Sequence, residues 1–229
     1  MKINSLVLEQ QNGHLQLRDT QQPRWQPIWI DWTTQDLNRR RVPHKIYSEF
    51  IVRAVGAKPH HALSVVDATA GFGEDGFLLA CAGCSVTLLE RSSIMFALLQ
   101  DALDRARRYA ELTEIIQRIQ LICVDARDWL VSTEIKPDVI YLDPMFPERK
   151  KSALVKKDMR LLSQLVGTDD DAHLLLPLAL RQASQRVVVK RPHDAPHLAD
   201  LLPQGTIAGK RCRYEIYAPK NLSTSAERR

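Results

Sequence analysis

The sequence contains no apolar run of about 18 residues, the shortest that a membrane-spanning helix requires. Residues 1–6, MKINSL, include a lysine and an asparagine, and no apolar run of secretory-signal length follows them. These two absences predict a soluble protein of the cytoplasm, with no membrane partner.

Cysteine is scarce, with four residues in the 229 of the chain. Cys81 and Cys84 have the C-x-x-C spacing of redox and zinc sites, but no second Cys/His pair lies at a metal-site interval. Both cysteines lie where an apolar helix is predicted to give way to a turn. We interpret them as reduced thiols of the core, and we expect no metal.

The composition is that of a globular protein with a basic balance. Hydrophobic residues make up 45% of the chain, enough for a full core in one domain or in one domain with a small appendage. The formal net charge is +5 and the pI is about 9.1, so a polyanionic partner is plausible if the basic residues form a patch.

The chain divides by pattern into a short N-terminal region, residues 1–44, and a main domain, residues 45–229. Residues 6–17 alternate around Asn12-Gly13, which predicts a β-hairpin. The stretch that follows contains three tryptophans, three prolines and the run Arg39-Arg40-Arg41, and we interpret it as a linker or cap.

From residue 63 onward, short β-rich runs alternate with helical segments, which predicts a doubly wound α/β sheet. Strands are expected at 64–67, 85–90, 120–124, 139–143, 186–190 and 214–217. Helices are expected at 76–82, 93–110, 169–184 and 197–202. In such sheets ligands bind beyond the carboxyl ends of the strands, so the residues there are the candidates for a site.

A glycine-bearing turn, DATAGFGEDG, follows the first of these strands. Gly71 and Gly73 let the backbone approach a ligand closely, and the next helix offers free N–H groups. The strand ends in a carboxylate, Asp67, and Glu74 and Asp75 place negative charge at the helix start. A pyrophosphate would be repelled there. The sulfonium and ammonium of S-adenosylmethionine would be accommodated, so we predict that cofactor.

Two further strand ends also present acids. Glu90 follows the second strand, where a carboxylate can accept hydrogen bonds from both ribose hydroxyls of an adenosine; Arg91 flanks the adenosine or caps a solvated edge. After the third strand, Asp125 could accept from the adenine amino group while Ala126 presents its backbone N–H. Capping of a short helix is an equally good interpretation of Asp125.

The segment DPMFP, which follows the fourth strand, has the groups that amino-group methylation of a nucleobase requires. An exocyclic amine is a poor nucleophile because its lone pair is delocalised into the ring. Asp143 offers a carboxylate acceptor for the amine, Pro144 a backbone carbonyl in a stiffened turn, and Phe146 an aromatic face for an unstacked base. We predict these three as the catalytic residues.

The next stretch is strongly basic and suits phosphate contacts beside a presented base, although a solvated charged face has the same composition. Its basic residues are Arg149, Lys150, Lys151, Lys156, Lys157 and Arg160. The run Lys190-Arg191-Pro192 and the arginines at 39–41 are candidate extensions of this patch.

These motifs, in this order, resemble the bacterial RsmJ family of small-subunit ribosomal RNA guanine-N2 methyltransferases. The similarity covers residues 65–219 and is most specific from DPMFP to KSALVKK. It implies a class I S-adenosylmethionine-dependent methyltransferase fold, Rossmann-like with seven mostly parallel strands, beside a small N-terminal β element. It also implies 16S rRNA or the small ribosomal subunit as partner, and guanine-1516 as target. The implied cofactor contacts are Glu74, Asp75, Glu90, Arg91, Asp125, Ala126 and Asp143.

Two other functions fit the residues. An adenine-N6 or cytosine-N4 methyltransferase of DNA or other RNA would use the same Asp-Pro-x-aromatic motif. The absence of a separate target-recognition domain from the predicted pattern argues against DNA as the substrate. A noncatalytic RNA-binding factor of ribosome assembly could keep the fold, but acids at four strand ends favour an enzyme.

Overall fold

The structure is a computed structural model that describes residues 5–144 and 172–219. The strands are β1 Leu6–Gln11, β2 His14–Asp19, β3 Ser64–Asp67, β4 Ser85–Glu90, β5 Ile119–Cys123, β6 Val139–Leu142, β7 Arg186–Pro192, β8 Gly205–Ala208 and β9 Cys212–Tyr217. The helices are α1 Gln35–Arg40, α2 Pro43–Ile46, α3 Phe50–Val55, α4 Glu74–Cys81, α5 Ser93–Ala106, α6 Thr113–Ile116, α7 Ala126–Ser132 and α8 Ala172–Gln182, with 3-10 turns at Ala110–Leu112 and Leu198–Asp200.

The N-terminal hairpin is confirmed. Asn12 and Gly13 both have positive φ, 52° and 82°, as the tightest two-residue hairpin turn requires. Strands β1 and β2 pair antiparallel with Gln11 opposite His14. One face of β2 is buried, and Leu17, 1% exposed, packs in the same hydrophobic cluster as α4 and α5.

The main sheet has seven strands, as the family resemblance implied, in the order β5-β4-β3-β6-β7-β9-β8. Strands β3 to β7 are parallel to one another, and β9 pairs antiparallel with both β7 and β8. The chain runs outward from β3 through β4 to β5, then returns to place β6 on the other side of β3. Strands β3 and β6 therefore flank a topological switch point, where open α/β sheets bind ligands.

Both faces of the sheet are buried, and strand residues alternate between two cores. On β6, Tyr141 contributes to the cluster beneath α3, α4 and α5, whereas Ile140 and Leu142 contribute to the cluster beneath α7 and α8. On β7, Val188 and Val189 divide in the same way. Side chains continue to alternate just beyond the last paired residues of each strand. Two residues at neighbouring strand ends therefore meet only when they lie on the same face of the sheet.

The helices beside the switch point owe their bounds to local sequence. Helix α5 is capped by Ser92, whose hydroxyl accepts from the N–H of Met95, and its buried residues recur at helical spacing. Helix α4 follows the glycine turn and packs very close to β4. A Cβ at Gly76 would lie 2.4 Å from Leu88 Cδ2, so a larger residue here would require the buried Leu88 side chain to shift.

All six predicted strands occur, within two residues of their expected ends. The helix predicted at 197–202 is wrong: Ala199 and Asp200 have left-handed φ of 53° and 55°, which leaves a single 3-10 turn. The edge strand β8 was not predicted: it is only four residues long, it includes a glycine, and none of its residues is buried. The helix predicted at 169–184 is described from residue 172 to 182. None of the described helices is long and apolar enough to cross a bilayer.

Candidate active site

One edge of the sheet gathers most of the predicted site residues. At or just beyond the carboxyl ends of β5, β4, β3 and β6 lie, in that spatial order, Asp125, Glu90, Asp67 and Asp143, and Lys190 lies two residues before the end of β7. Four acids and one lysine thus line the edge that includes the switch point. The excess of acidic over basic side chains at this edge suits a cationic ligand and disfavours a pyrophosphate.

The turn after β3 is tied to the segment after β6. Asp67 Oδ1 accepts from the backbone N–H of Thr69 at 3.1 Å, which shapes the start of the turn. The Thr69 hydroxyl in turn accepts from the backbone N–H of Asp143 at 2.6 Å, and the N–H of Ala68 donates to the Tyr141 carbonyl. The cofactor turn and the proposed target motif are therefore held in one hydrogen-bonded unit.

The two glycines of the turn have different surroundings. Gly71 and Gly73 both have positive φ, 53° and 70°. A Cβ at Gly71 would meet nothing nearer than the Thr69 carbonyl at 3.8 Å, so the backbone is open to a ligand. A Cβ at Gly73 would lie 2.7 Å from Trp32 Cζ2, so this glycine serves close packing.

Trp32 supports the turn from the N-terminal region, a role that the sequence did not reveal. Its side chain is 1% exposed and stacks on Phe77 with ring centroids 5.3 Å apart. Its indole N–H donates to the Phe72 carbonyl at 3.1 Å. A tryptophan among prolines predicted only a linker, since no local pattern indicates which distant loop it contacts.

Asp75, Tyr141, Asp143 and Lys190 form a compact polar cluster at the switch point. Lys190 Nζ lies 2.8 Å from Asp75 Oδ2 and 2.8 Å from Asp143 Oδ2. The Tyr141 hydroxyl donates to Asp75 Oδ2 at 2.6 Å. Burial alone would raise the pKa of Asp75, but the charge of Lys190 and its hydrogen bond, with that of Tyr141, hold this pKa below its usual range. Asp75 is thus a carboxylate at neutral pH.

Asp67 differs from the other acids of the edge because it is buried within the turn. It is 1% exposed, and this burial is the main reason that its pKa rises to about 8. The nearby charges of Asp75 and Asp143 add to the rise, whereas the Thr69 hydrogen bond and Lys190 oppose it. Asp67 therefore carries its proton at neutral pH and shapes the turn.

The acids at α4 and β4 keep the placement that the sequence predicted. Glu74 is exposed at the first position of α4, next to Asp75. Glu90 is 6% exposed, and its Oε1 accepts from the N–H of Ser92 at 2.7 Å. Arg91 is exposed, and its charge contributes to lowering the pKa of Asp125, so the two lie near one another.

Asp125 caps α7. Capping is one of the two interpretations of this residue, and contact with the adenine amino group is the other. Its Oδ1 accepts from the backbone N–H of Arg127 at 2.9 Å, and the guanidinium of Arg127 binds both oxygens, with Nη2 2.7 Å from Oδ2. These hydrogen bonds are the main reason that the pKa of Asp125 is lowered. Ala126, 7% exposed, begins the helix. The contact of either residue with adenine stays a prediction.

The target motif is described only at its start. Asp143 is partly exposed and Pro144 is buried behind it. Phe146 and the basic residues Arg149, Lys150, Lys151, Lys156, Lys157 and Arg160 lie outside the described residues.

The proposed extension of the basic patch through Lys190 and Arg191 is wrong. Lys190 is held by Asp75 and Asp143. Arg191 is 2% exposed on the opposite face of β7, where its guanidinium donates to the Pro196 carbonyl. Strand alternation places the two on different faces, and neither is available to a phosphate as an exposed cation.

Of the arginines at 39–41, Arg40 interacts electrostatically with Asp75 of the polar cluster. It pairs with Glu49 at 2.9 Å, and its charge helps to lower the pKa of Asp75. Arg41 donates to the Asn38 side chain at 2.7 Å. Arg40 therefore links the N-terminal region to the main domain, while contact of the arginines at 39–41 with a nucleic acid stays a prediction.

The expected placement of Cys81 and Cys84 at the core is confirmed, since Cys84 is buried and Cys81 packs against the same hydrophobic cluster. Neither forms a disulfide, and burial raises their pKa values to about 12 and about 11, respectively. Such thiols are unreactive at neutral pH. Within the described residues, no three His, Cys, Asp or Glu side chains are grouped as a metal site would need.

The fold and this edge together define the class of protein. A seven-stranded, mostly parallel sheet with an antiparallel β9, a glycine turn at the switch point and acids at successive strand ends is a class I methyltransferase. Its cofactor is S-adenosylmethionine. The open backbone at Gly71 and the acidic edge fit this cationic molecule. That Asp75, Glu90 and Asp143 hold it stays a prediction.

Comparisons with known proteins identify the family. The family model described as "Putative SAM-dependent methyltransferase" matches residues 2–219. Ribosomal RNA small subunit methyltransferase J of Thioalkalivibrio sulfidiphilus is 51% identical over 193 residues, which are 83% of this chain and 76% of the relative. The protein of the same name from Pseudoalteromonas atlantica is 45% identical over 220 residues, 93% of this chain and 85% of the relative.

A solved structure agrees with these relatives. The crystal structure of a SAM-dependent methyltransferase from Neisseria gonorrhoeae is 32% identical, with a TM-score of 0.76, and the match covers 100% of this chain and 89% of that one. The chain belongs to the ribosomal RNA small subunit methyltransferase J family, RsmJ.

Proposed function

We propose that this protein transfers a methyl group from S-adenosylmethionine to the exocyclic N2 amine of a guanine in 16S rRNA, with guanine-1516 as the target. The observation that carries the proposal is the placement of Asp143. Its carboxylate lies at the switch point, and its backbone is bound to Thr69 of the cofactor turn at 2.6 Å. The names of the curated relatives support ribosomal RNA as the substrate class.

The reaction needs an acceptor for the amine beside the methyl donor. S-adenosylmethionine supplies an electrophilic methyl group on a sulfonium. The partly exposed carboxylate of Asp143 accepts a hydrogen bond from the target amine and directs the nitrogen toward that methyl group. As the nitrogen–carbon bond forms and the sulfur–carbon bond breaks, the amine loses a proton to Asp143 or to solvent.

The remaining groups hold the substrate. The Pro144 carbonyl is a second acceptor for the amine, and the ring of Phe146 would stack on the guanine. The basic run from Arg149 to Arg160 would bind phosphates on either side of the presented base, on naked RNA or on the assembled subunit. Since such a substrate is found with the ribosomes, we expect the protein in the cytoplasm.

The test supplies labelled S-adenosylmethionine with deproteinised rRNA, assembled small subunits or duplex DNA. We expect label in rRNA or in the subunit and none in DNA. Asp143→Ala should lower the rate at least about 100-fold, the cost of losing a positioned acid–base group. Asp128→Ala, at an exposed carboxylate of α7, is the matched control and should keep the wild-type rate.

Label found only in DNA would overturn the rRNA assignment. An Asp143→Ala protein with full activity would remove the catalytic assignment of this carboxylate, whatever the substrate. A folded wild-type protein that binds S-adenosylmethionine but labels no nucleic acid would favour the noncatalytic assembly factor.

A further inference from the structure

Lys190 lies where the cofactor half and the target half of the site meet. Its ammonium binds Asp75, in the first turn of the helix that follows the cofactor turn, and Asp143, the first residue of the target motif, each at 2.8 Å. Asp75 also accepts from the Tyr141 hydroxyl at 2.6 Å. A single cation thus joins two acids that belong to different elements.

The sheet itself dictates this position. Tyr141 pairs with Val188 and Leu142 with Val189 across β6 and β7, so Asp143 and Lys190 are the next residues in register. Lys190 shares the sheet face of Val188 and Tyr141, and α4 packs over that face. The lysine therefore projects toward the start of α4.

The surroundings of Lys190 keep it charged and engaged. Its side chain is 27% exposed, and burial alone would lower its pKa, but Asp143 and Asp75 raise this pKa well above the usual lysine range. Without the cation, two carboxylates would face each other at the switch point and repel. A reach outward to an RNA phosphate would break both ion pairs.

We propose that Lys190 is a positioning residue for methyl transfer, which fixes the Asp143 carboxylate toward the target amine by anchoring it to Asp75. The inference rests on the proposed function, because it assigns to Asp143 the role of amine acceptor. Lys190 acts through Asp143, not by touching the guanine.

The test compares Lys190→Met, which keeps the length and removes the charge, with Lys190→Arg, which keeps the charge. Lys136→Met is the matched control, since Lys136 is exposed before the amino end of β6, at the opposite edge of the sheet. For each protein, kcat is measured at saturating S-adenosylmethionine with rRNA, the cofactor Kd is measured by calorimetry, and folding is checked by thermal unfolding.

We expect Lys190→Met to lower kcat about 100-fold, the cost of a carboxylate misplaced by about 1 Å. Its cofactor Kd should not rise more than about threefold above wild type, because removing a positive charge does not weaken attraction for a cationic ligand. Lys190→Arg should recover at least a tenth of the wild-type kcat, and Lys136→Met all of it. A merely structural role would weaken cofactor binding and kcat together.

Wild-type kcat in folded Lys190→Met overturns the inference, as does parallel loss of kcat and cofactor affinity. If Lys190→Met does not fold, Lys190→Gln replaces it, and the same outcomes apply. A folded wild-type protein that methylates no rRNA overturns the proposed function and this inference with it. If wild type methylates rRNA and Lys190→Met does so with the same kcat, only the role of Lys190 is refuted, and the proposed function stands.

Discussion

Asp67→Asn is a substitution whose effect on stability should depend on pH in a defined direction. The Asp67 carboxyl is 1% exposed, and burial raises its pKa from 3.8 to about 8. Asparagine keeps an oxygen that accepts from the N–H of Thr69, but it has no proton to release. The substitution therefore separates the shape of the turn from the ionisation of the carboxyl.

The sign follows from the two pKa values. Above about pH 4 the carboxyl ionises in the unfolded chain, while in the folded protein it keeps its proton until about pH 8. The unfolded state then binds fewer protons, so the free energy of unfolding falls as pH rises through this window. The loss is about 1.4 kcal/mol per pH unit, or about 4 kcal/mol between pH 5 and pH 8. Asparagine removes this loss.

Urea unfolding of both proteins at about one-unit intervals from pH 5 to about pH 9 measures the effect. The free energy of unfolding of Asp67→Asn, minus that of wild type, should increase by about 1.4 kcal/mol per pH unit and level off above pH 8. A constant offset from the new amide does not affect this slope. Asp128→Asn, at an exposed carboxyl, is the control and should show no such slope. Parallel pH profiles for wild type and Asp67→Asn would refute the reasoning.

Three further substitutions test the supports of the site by urea unfolding. Gly73→Ala should lower the free energy of unfolding by at least about 2 kcal/mol, because φ is +70° and the new Cβ would lie 2.7 Å from Trp32; a smaller loss would contradict this packing. Trp32→Phe should lower the free energy of unfolding by about 1 to 3 kcal/mol, since the Phe72 carbonyl loses its indole donor. An unchanged free energy of unfolding would show that this hydrogen bond contributes nothing to stability. Tyr141→Phe should cost about 1.5 to 3 kcal/mol through the lost hydrogen bond to the Asp75 carboxylate, whereas a gain in stability would refute the assignment.

The sequence predicted the sheet and most of its carboxyl edge because both depend on local patterns. Runs such as Val187–Val189 locate buried strands, and a parallel sheet brings the residues after each strand to one edge. The strand pattern alone therefore places Asp67, Glu90 and Asp143 together. Their residue types then indicate the sign of the ligand's charge.

What the sequence could not predict depends on register and on long-range packing. Lys190 and Arg191 are adjacent in a basic run, but side chains alternate between the two faces of β7. Lys190 therefore lies in the site, whereas Arg191 is buried on the opposite face. Trp32 supports a loop some 40 residues further along the chain through its indole. No local signal distinguishes such a contact from a linker tryptophan.

The identity of the methylated nucleoside is the most direct test of the guanine-N2 assignment. Small-subunit rRNA methylated by the wild-type protein is digested to nucleosides and analysed by mass spectrometry, with Asp143→Ala as the control. We predict N2-methylguanosine as the only new methylated nucleoside, absent with Asp143→Ala. N6-methyladenosine or N4-methylcytidine in its place would contradict the account.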